Sequence, residues 1–240
     1  MNKFQLEKTG DLFLIIDKES NKYLNTHCDT PYPPLPKDIC ELLLNDLNQF
    51  SESLNESYIY CCLSSLIEFK KNNQIIDLAK DVLPQIQWDR AFRGMPDPKI
   101  HLVERQVTKK VFEFLGNMMV SLRLNYSDSI EELLADKTNC VPQSIIDEFE
   151  ELLKDCNQLE LFTILLLNNL FEGWNFSMTA FWVVNKITNQ ELIEAGVVLA
   201  QQKEHPATFT FNAKDKKLID YYNQRLITLR LFLNTYRDIE

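Results

Sequence analysis

The feature that most constrains the fold is a long apolar stretch, residues 159–199, in the second half of the chain. A membrane span needs about 20 predominantly apolar residues. Polar side chains interrupt this stretch, and in lipid they would lack hydrogen-bond partners; they are Glu160, Asn168, Asn169, Glu172 and Asn175. The stretch is therefore predicted to form the central helices of a packed, water-soluble core rather than to insert into a membrane.

The chain has 240 residues, of which 45% are apolar and 25% charged, which suits one large domain or two small ones. The formal net charge is −10. Duplex nucleic acid requires a basic face, and an anionic membrane surface would repel the chain, so neither is a predicted partner. A basic protein surface is the partner that long-range attraction favours.

Six cysteines and three histidines are spread along the sequence without a C-x-x-C pair, so no metal site is predicted. Such sparse cysteines are typical of free, mostly buried thiols in a reducing compartment. The N-terminus lacks the apolar segment of a signal peptide. We expect the protein in the cytoplasm, or in the mitochondrial matrix if the source is eukaryotic.

Residues 1–72 are predicted to form a small N-terminal α+β domain. A β-hairpin is expected over residues 12–24, with a polar turn at residues 18–21. The prolines between residues 31 and 36 favour an extended segment. A helix should begin at Lys37 or Asp38, with Ile39, Leu43 and Leu47 on one face. A second helix is predicted from Ser57 to Phe69, and a linker at residues 70–73.

Residues 73–240 are predicted to form a larger helical domain, which makes the whole chain α+β. Its helices are identified by apolar residues at steps of three and four. They are expected at residues 75–82, 98–118, 142–153 and 218–233, and one further helix should be capped by Thr188 or Asn189. Residues 120–124 and 207–211 are predicted to be extended.

No P-loop, dinucleotide-binding or hydrolase motif occurs, so no catalytic residue and no cofactor is predicted. Asp77 and Asp81 would lie one helical turn apart. Such a pair can hold a divalent cation in helical enzymes if a second acidic cluster faces it. A metal-dependent helical enzyme is therefore the alternative, although a solvated helix face explains the same spacing.

Residues 89–94 combine charge with an aromatic ring beside a proline-rich loop. Arg90 and Arg93 flank Phe92, and guanidinium groups form bidentate bonds to carboxylates. One interpretation is that these three residues bind a protein partner. The other is that the arginines pair with Asp89 or Asp97 and hold the loop in place. Gln106 is predicted to be a partly buried polar anchor.

Several segments together resemble the assembly chaperones of F-type ATP synthase that bind the alpha subunit of its catalytic sector, in mitochondria and in some bacteria. The order of the matching segments follows that of the family across most of the chain: Leu12–Asp17, Lys22–Thr26, Leu35-Pro36, Asp89, Phe92-Arg93, Pro96, the turn from Leu102 to Gln106, Val120–Leu124, Ser144–Leu153, and Leu159–Val184 with Gly173.

The chain departs from this family at several positions. The Gly-Ser step of the family is Gly173-Trp174-Asn175 here, Lys203 replaces an Asp, and Phe211 replaces a Trp. Counting back from the last helix, Glu204 falls where the functional glutamate of the family would be.

The resemblance implies a chaperone without catalysis, and we expect the chain to be a monomer. It would cover the alpha-subunit surface that later meets the beta subunit, because an exposed apolar interface aggregates. Glu204, Arg90, Phe92, Arg93 and Gln106 are the expected partner contacts, with the segment around Glu204 beside the loop of the two arginines. A helical adaptor with another protein partner is a further alternative.

Overall fold

The computed structural model describes residues 3–50, 53–93, 98–119, 122, 124–125, 139–170, 175–201 and 213–237. The predicted α+β class is confirmed: a small antiparallel sheet precedes a mainly helical region. The chain forms two compact units, Met1–Ile75 with Gln224–Glu240, and Ile76–Asn223. The sequence-based division after residue 72 placed the whole last helix in the second domain, whereas its residues from Gln224 onward cluster with the first unit.

The first unit contains a three-stranded antiparallel sheet in the order β1-β2-β3. The strands are β1 (Phe4–Thr9), β2 (Leu12–Asp17) and β3 (Lys22–Tyr23). Thr9 pairs with Leu12 across a two-residue loop, in which Gly10 has a φ of +65°, a left-handed conformation that glycine adopts without strain. The predicted hairpin of β2 and β3 is confirmed.

Two helices accompany this sheet: α1 (Lys37–Gln49) packs against β1 and β2, and α2 (Tyr58–Lys71) packs against α1. Helix α1 follows directly after Pro36 and buries Ile39, Leu43 and Leu47. Helix α2 begins after a short 3₁₀ turn (Leu54–Glu56). Ser57 caps α2, because its hydroxyl accepts a hydrogen bond of 3.0 Å from the amide of Tyr60.

The C-terminal helix completes the core of the first unit. In its final stretch Leu226, Leu229, Phe232 and Leu233 are buried. The guanidinium of Arg225 donates a 2.7 Å hydrogen bond to Glu56 and lies 4.3 Å from the ring centre of Phe50 and 5.4 Å from that of Tyr58. Arg225 therefore combines an ion pair with cation–π packing on two aromatic rings.

The second unit is helical throughout its described elements. It contains a π turn (Leu78–Val82), a 3₁₀ segment (Leu83–Trp88), α3 (Pro98–Val107), α4 (Lys109–Leu115), a 3₁₀ turn (Gly116–Met119), α5 (Gln143–Leu153), α6 (Gln158–Leu170), α7 (Phe176–Val183) and α8 (Asn189–Gln201); the last helix, which the first unit shares, is α9 (Ala213–Arg237).

Two helix predictions in this unit were wrong in detail. Residues 75–82 do not form a regular α-helix: Asp77 caps a π turn, and Pro84 lies in the first turn of the 3₁₀ segment that follows. The predicted helix over residues 98–118 is interrupted at Thr108, whose hydroxyl donates a 2.7 Å hydrogen bond to the carbonyl of Glu104. The amide of Thr108 donates to the same carbonyl over 3.0 Å, so one acceptor serves both groups at the interruption.

The interior of the second unit is aromatic. The ring of Phe149 lies 5.8 Å from Phe181, 5.7 Å from Phe176 and 5.9 Å from Phe114, measured between ring centres. Every residue of α7 is buried, so the apolar stretch does supply core helices as predicted. No helix in the described ranges is long and apolar enough to cross a membrane.

Thr188, rather than Asn189, caps α8. The Thr188 hydroxyl accepts a 3.2 Å bond from the amide of Glu191, and the Glu191 carboxylate accepts a 2.8 Å bond from the amide of Thr188. This reciprocal pair is a capping box. Several expectations lie wholly or partly outside the described residues: the matches to the family at Pro96 and Gly173, the prediction on Glu204, and the extended segments at 120–124 and 207–211.

Candidate protein-binding site

The segment predicted to contact a partner is in the interior of the second unit. Its charged residues form what we call the Asp89 cluster, which consists of Asp89, Arg90, Arg93 and Glu104, all at most 1% exposed. Because buried charges are costly unless they are paired or hydrogen-bonded, the partners of each member decide what the cluster does.

Asp89 caps a helix that is distant in sequence. Its Oδ1 accepts a 2.8 Å hydrogen bond from the amide of Ala91, and its Oδ2 accepts a bond from the amide of Ser177 in the first turn of α7. Asn175, at the cap position of α7, makes no side-chain cap bond. Burial raises the pKa of Asp89 to about 6, although the bonds from Ser177 and Ala91 and the charge of Arg90 act in the opposite direction.

Arg90 and Glu104 form a buried ion pair. Both Nε and Nη2 of Arg90 donate to Oε1 of Glu104, over 3.1 and 2.6 Å. Glu104 lies in α3, whereas Arg90 directly follows the 3₁₀ segment and its end at Asp89. The pair therefore holds α3 against the loop at residue 90. The buried ion pair of Arg90 is thus with Glu104 rather than with the predicted Asp89, and Asp97 lies outside the described residues.

Arg93 joins three separate parts of the chain through backbone carbonyls. It donates hydrogen bonds to the carbonyl oxygens of Gln87 and Asn139, and over 3.0 Å to that of Asn125. The side chain of Asn139 accepts a further 2.7 Å bond from the amide of Asn125. Arg93 thus fastens the two residues that flank positions 126–138 to the end of the 3₁₀ segment.

Phe92 is also part of the interior, with 6% of its surface exposed. Its ring meets that of Phe149 edge-on, with 6.4 Å between the ring centres. The prediction that Arg90, Phe92 and Arg93 present a contact surface is thus at odds with their positions, since a partner could reach them only if this region opened. The arginines do fasten the loop, as the second interpretation held, but through Glu104 and backbone carbonyls.

The opposite side of α3 is exposed. Leu102 exposes 67% of its surface, and Arg105 and Gln106 are exposed as well. At positions i, i+3 and i+4 these three side chains share one helical face, which we call the α3 face. Gln106 is therefore not the partly buried anchor that was predicted. The Arg105 guanidinium lies 4.8 Å from the ring centre of Phe112 in α4.

Asp77 and Asp81, which the metal-dependent enzyme alternative requires, both accept hydrogen bonds from nearby backbone amides. Asp77 accepts a 3.1 Å bond from the amide of Lys80, and Asp81 accepts a 2.8 Å bond from the amide of Asp77. Lys80 also lies 3.6 Å from the Asp77 carboxylate. Among the residues that the structure describes, no group of three or more His, Cys, Asp or Glu side chains could hold a metal ion.

Glu204 falls within residues 202–212, outside the described residues, so its predicted proximity to the loop of Arg90 and Arg93 stays a prediction. Glu104 and Ser177 escaped the sequence-based search. Glu104 is a single acid in an amphipathic helix, and Ser177 lies in an apolar run. Neighbouring residues in the sequence do not indicate the partner of either one.

The chain was also compared with known proteins. A scan against protein-family models found no match. Searches of curated proteins and of solved structures found no similar protein either.

Proposed function

We propose that this chain is an assembly chaperone without catalytic activity, which binds the unassembled alpha subunit of F-type ATP synthase and prevents its aggregation before it meets the beta subunit. The resemblance of the ordered segments from Leu12 to Val184 suggests the partner. The observation that carries a binding role is the α3 face, where a large apolar side chain, Leu102, is exposed beside Arg105 and Gln106.

The way in which helix α3 is held in place supports this role. Glu104 lies on the opposite side of the same helix and is fixed by the buried pair with Arg90. A helix that is already fixed on its buried side loses little conformational freedom on binding, so the entropic cost of ordering it is small. An apolar centre with polar neighbours is also typical of a modest interface that must later dissociate.

Co-expression with the ATP synthase alpha subunit of the same organism tests the proposal. The measurement is the fraction of the alpha subunit that stays soluble and co-purifies with the chain. We expect the wild-type chain to raise that fraction. Leu102→Asp should reduce it, because the substitution removes the exposed apolar contact. Glu204→Lys tests the contact that the resemblance assigns to Glu204.

Ile227→Asp is the matched control, since Ile227 is 49% exposed on α9, outside the α3 face. It should preserve the effect of the wild-type chain. If the alpha subunit is no more soluble with the wild-type chain than without it, the chaperone proposal fails. If Leu102→Asp and Ile227→Asp both act like the wild type, the α3 face is not the contact.

A further inference from the structure

A groove crosses the surface of the second unit between residues 79–87 and helix α5. Its volume is about 280 Å³, and it is lined by Ala79, Leu83, Pro84, Gln87, Gln143, Ile146 and Glu150. We call it the Pro84 groove. None of the residues of the α3 face or of the Asp89 cluster lines it, so it is a separate feature of the unit.

The lining of the groove combines apolar walls with one acidic edge. Leu83 forms a buried base, Pro84 is exposed on one side, and Ile146 is half-buried on the other. The carboxylate of Glu150 belongs to the α5 wall. Gln87 is anchored, because its Oε1 accepts a 2.8 Å bond from the amide of Val141.

The charge of α5 indicates the chemistry of the occupant. Between residues 143 and 153 the helix has four carboxylates and no lysine or arginine. Asp147 accepts a 2.8 Å bond from Gln143, and Glu151 pairs with Lys154. In the described part of the chain, no lysine or arginine forms an ion pair with Glu150, so its charge remains available to a cation from outside.

The open shape of the groove favours a peptide over a small molecule. Clefts for small molecules bury most of the ligand, whereas this groove is partly open to solvent. Leu83, Pro84 and Ile146 offer apolar contacts to one side chain of such a peptide. Glu150 offers a carboxylate to a neighbouring cation. We propose that the Pro84 groove binds a short basic segment of a protein partner, with an apolar side chain in the groove and a lysine or arginine at Glu150.

The proposal does not depend on the identity of the chaperone partner, so a defined probe can test it. The probe is a fluorescently labelled helical peptide of leucine, alanine and lysine, and its counterpart with glutamate in place of lysine. Fluorescence anisotropy with the full chain measures affinity at about 0.15 M salt, where surface charges beyond roughly 8 Å are screened. We expect the lysine peptide to bind and the glutamate peptide not to bind.

Variants then distinguish the groove from general attraction to an acidic protein. Glu150→Lys, at the acidic edge of the groove, should weaken binding of the lysine peptide about tenfold, because the reversed charge replaces an attraction with a repulsion. Glu148→Lys, an exposed acid of the same helix that does not line the groove, should change binding about twofold or less. Ile146→Ser should also weaken binding about tenfold, and its circular dichroism shows whether it folds.

Gln143→Lys is a second groove variant at an exposed position, where folding is not at risk. It places a cation in the groove and should weaken binding of the lysine peptide several-fold. Three results would overturn the proposal: no binding of the lysine peptide by the wild-type chain, equal weakening by Glu150→Lys and Glu148→Lys, or full affinity in both Gln143→Lys and a folded Ile146→Ser.

Discussion

The carboxylate of Asp89 accepts a hydrogen bond from the backbone amide of Ser177, which lies 88 residues further along the chain in the first turn of α7. A negative charge at this end of a helix is favourable, because the unpaired amides give it a partial positive charge. Complete burial of the same carboxylate is unfavourable. Burial has the larger effect, and the pKa of Asp89 rises to about 6.

Asp89→Asn should change the pH dependence of stability. The pKa of Asp89 in the folded state is about 6, above its ordinary value of 3.8, so the folded state binds the proton more tightly. The contribution of Asp89 to the free energy of unfolding is therefore largest below about pH 4, falls as pH rises to about 6, and is level above that.

Urea denaturation of both proteins at pH 4, 5, 6 and 7 measures this effect. The stability of the wild type relative to Asp89→Asn should decline by on the order of 2 kcal/mol between pH 4 and 6, since one pKa unit corresponds to about 1.4 kcal/mol. A relative stability that instead grows with pH would show that the pKa of Asp89 is lowered by folding.

The Arg90–Glu104 pair should show strong energetic coupling. Arg90→Met or Glu104→Gln alone should each cost about 3–5 kcal/mol, because each leaves a buried group without its partner. The double variant should cost much less than the sum. Urea denaturation of the four proteins measures the coupling.

Lys109 and Glu113 provide a matched exposed pair, 3.1 Å apart, with 73% and 48% of their side chains exposed. The same cycle there should give about 0–1 kcal/mol. If the losses in the free energy of unfolding for Arg90→Met and Glu104→Gln were additive in the double variant, the two side chains would not stabilise α3 through each other.

Arg225→Ala should destabilise the first unit by about 2 kcal/mol, since it removes an ion pair with Glu56 and the packing on Phe50 and Tyr58. Thermal unfolding followed by circular dichroism measures the change. Gln224→Ala, at the exposed neighbouring position, should stay within about 0.5 kcal/mol of the wild type. Equal losses in the two variants would mean that Arg225 has no special role.

Local patterns in the sequence were sufficient for many helices. Ile39, Leu43 and Leu47 define the buried face of α1, and Ile145 and Phe149 define that of α5, because side chains three or four positions apart share one face of a helix. The hairpin of β2 and β3 and the cap at Thr188 were predictable for the same reason: the interacting groups lie within a few residues of one another.

The geometry of the helices was less predictable than their positions. The apolar spacing over residues 75–82 is helical, yet the chain forms a π turn followed by a 3₁₀ segment that begins around Pro84. At Thr108, a hydroxyl bond to the carbonyl of Glu104 accompanies a break between α3 and α4. Apolar spacing alone does not distinguish these geometries from one continuous α-helix.

The sequence by itself determined the α+β class, most of the helices and the contribution of α6 and α7 to the core. Only the tertiary structure decided what the charged residues do. Arginine side chains are mostly exposed in folded proteins. Here Arg90 and Arg93 bind Glu104 and distant carbonyls in the interior, while Leu102 and Gln106 are exposed. The physical reason is that helical periodicity depends on near neighbours, whereas a buried charge depends on partners that long-range packing brings together.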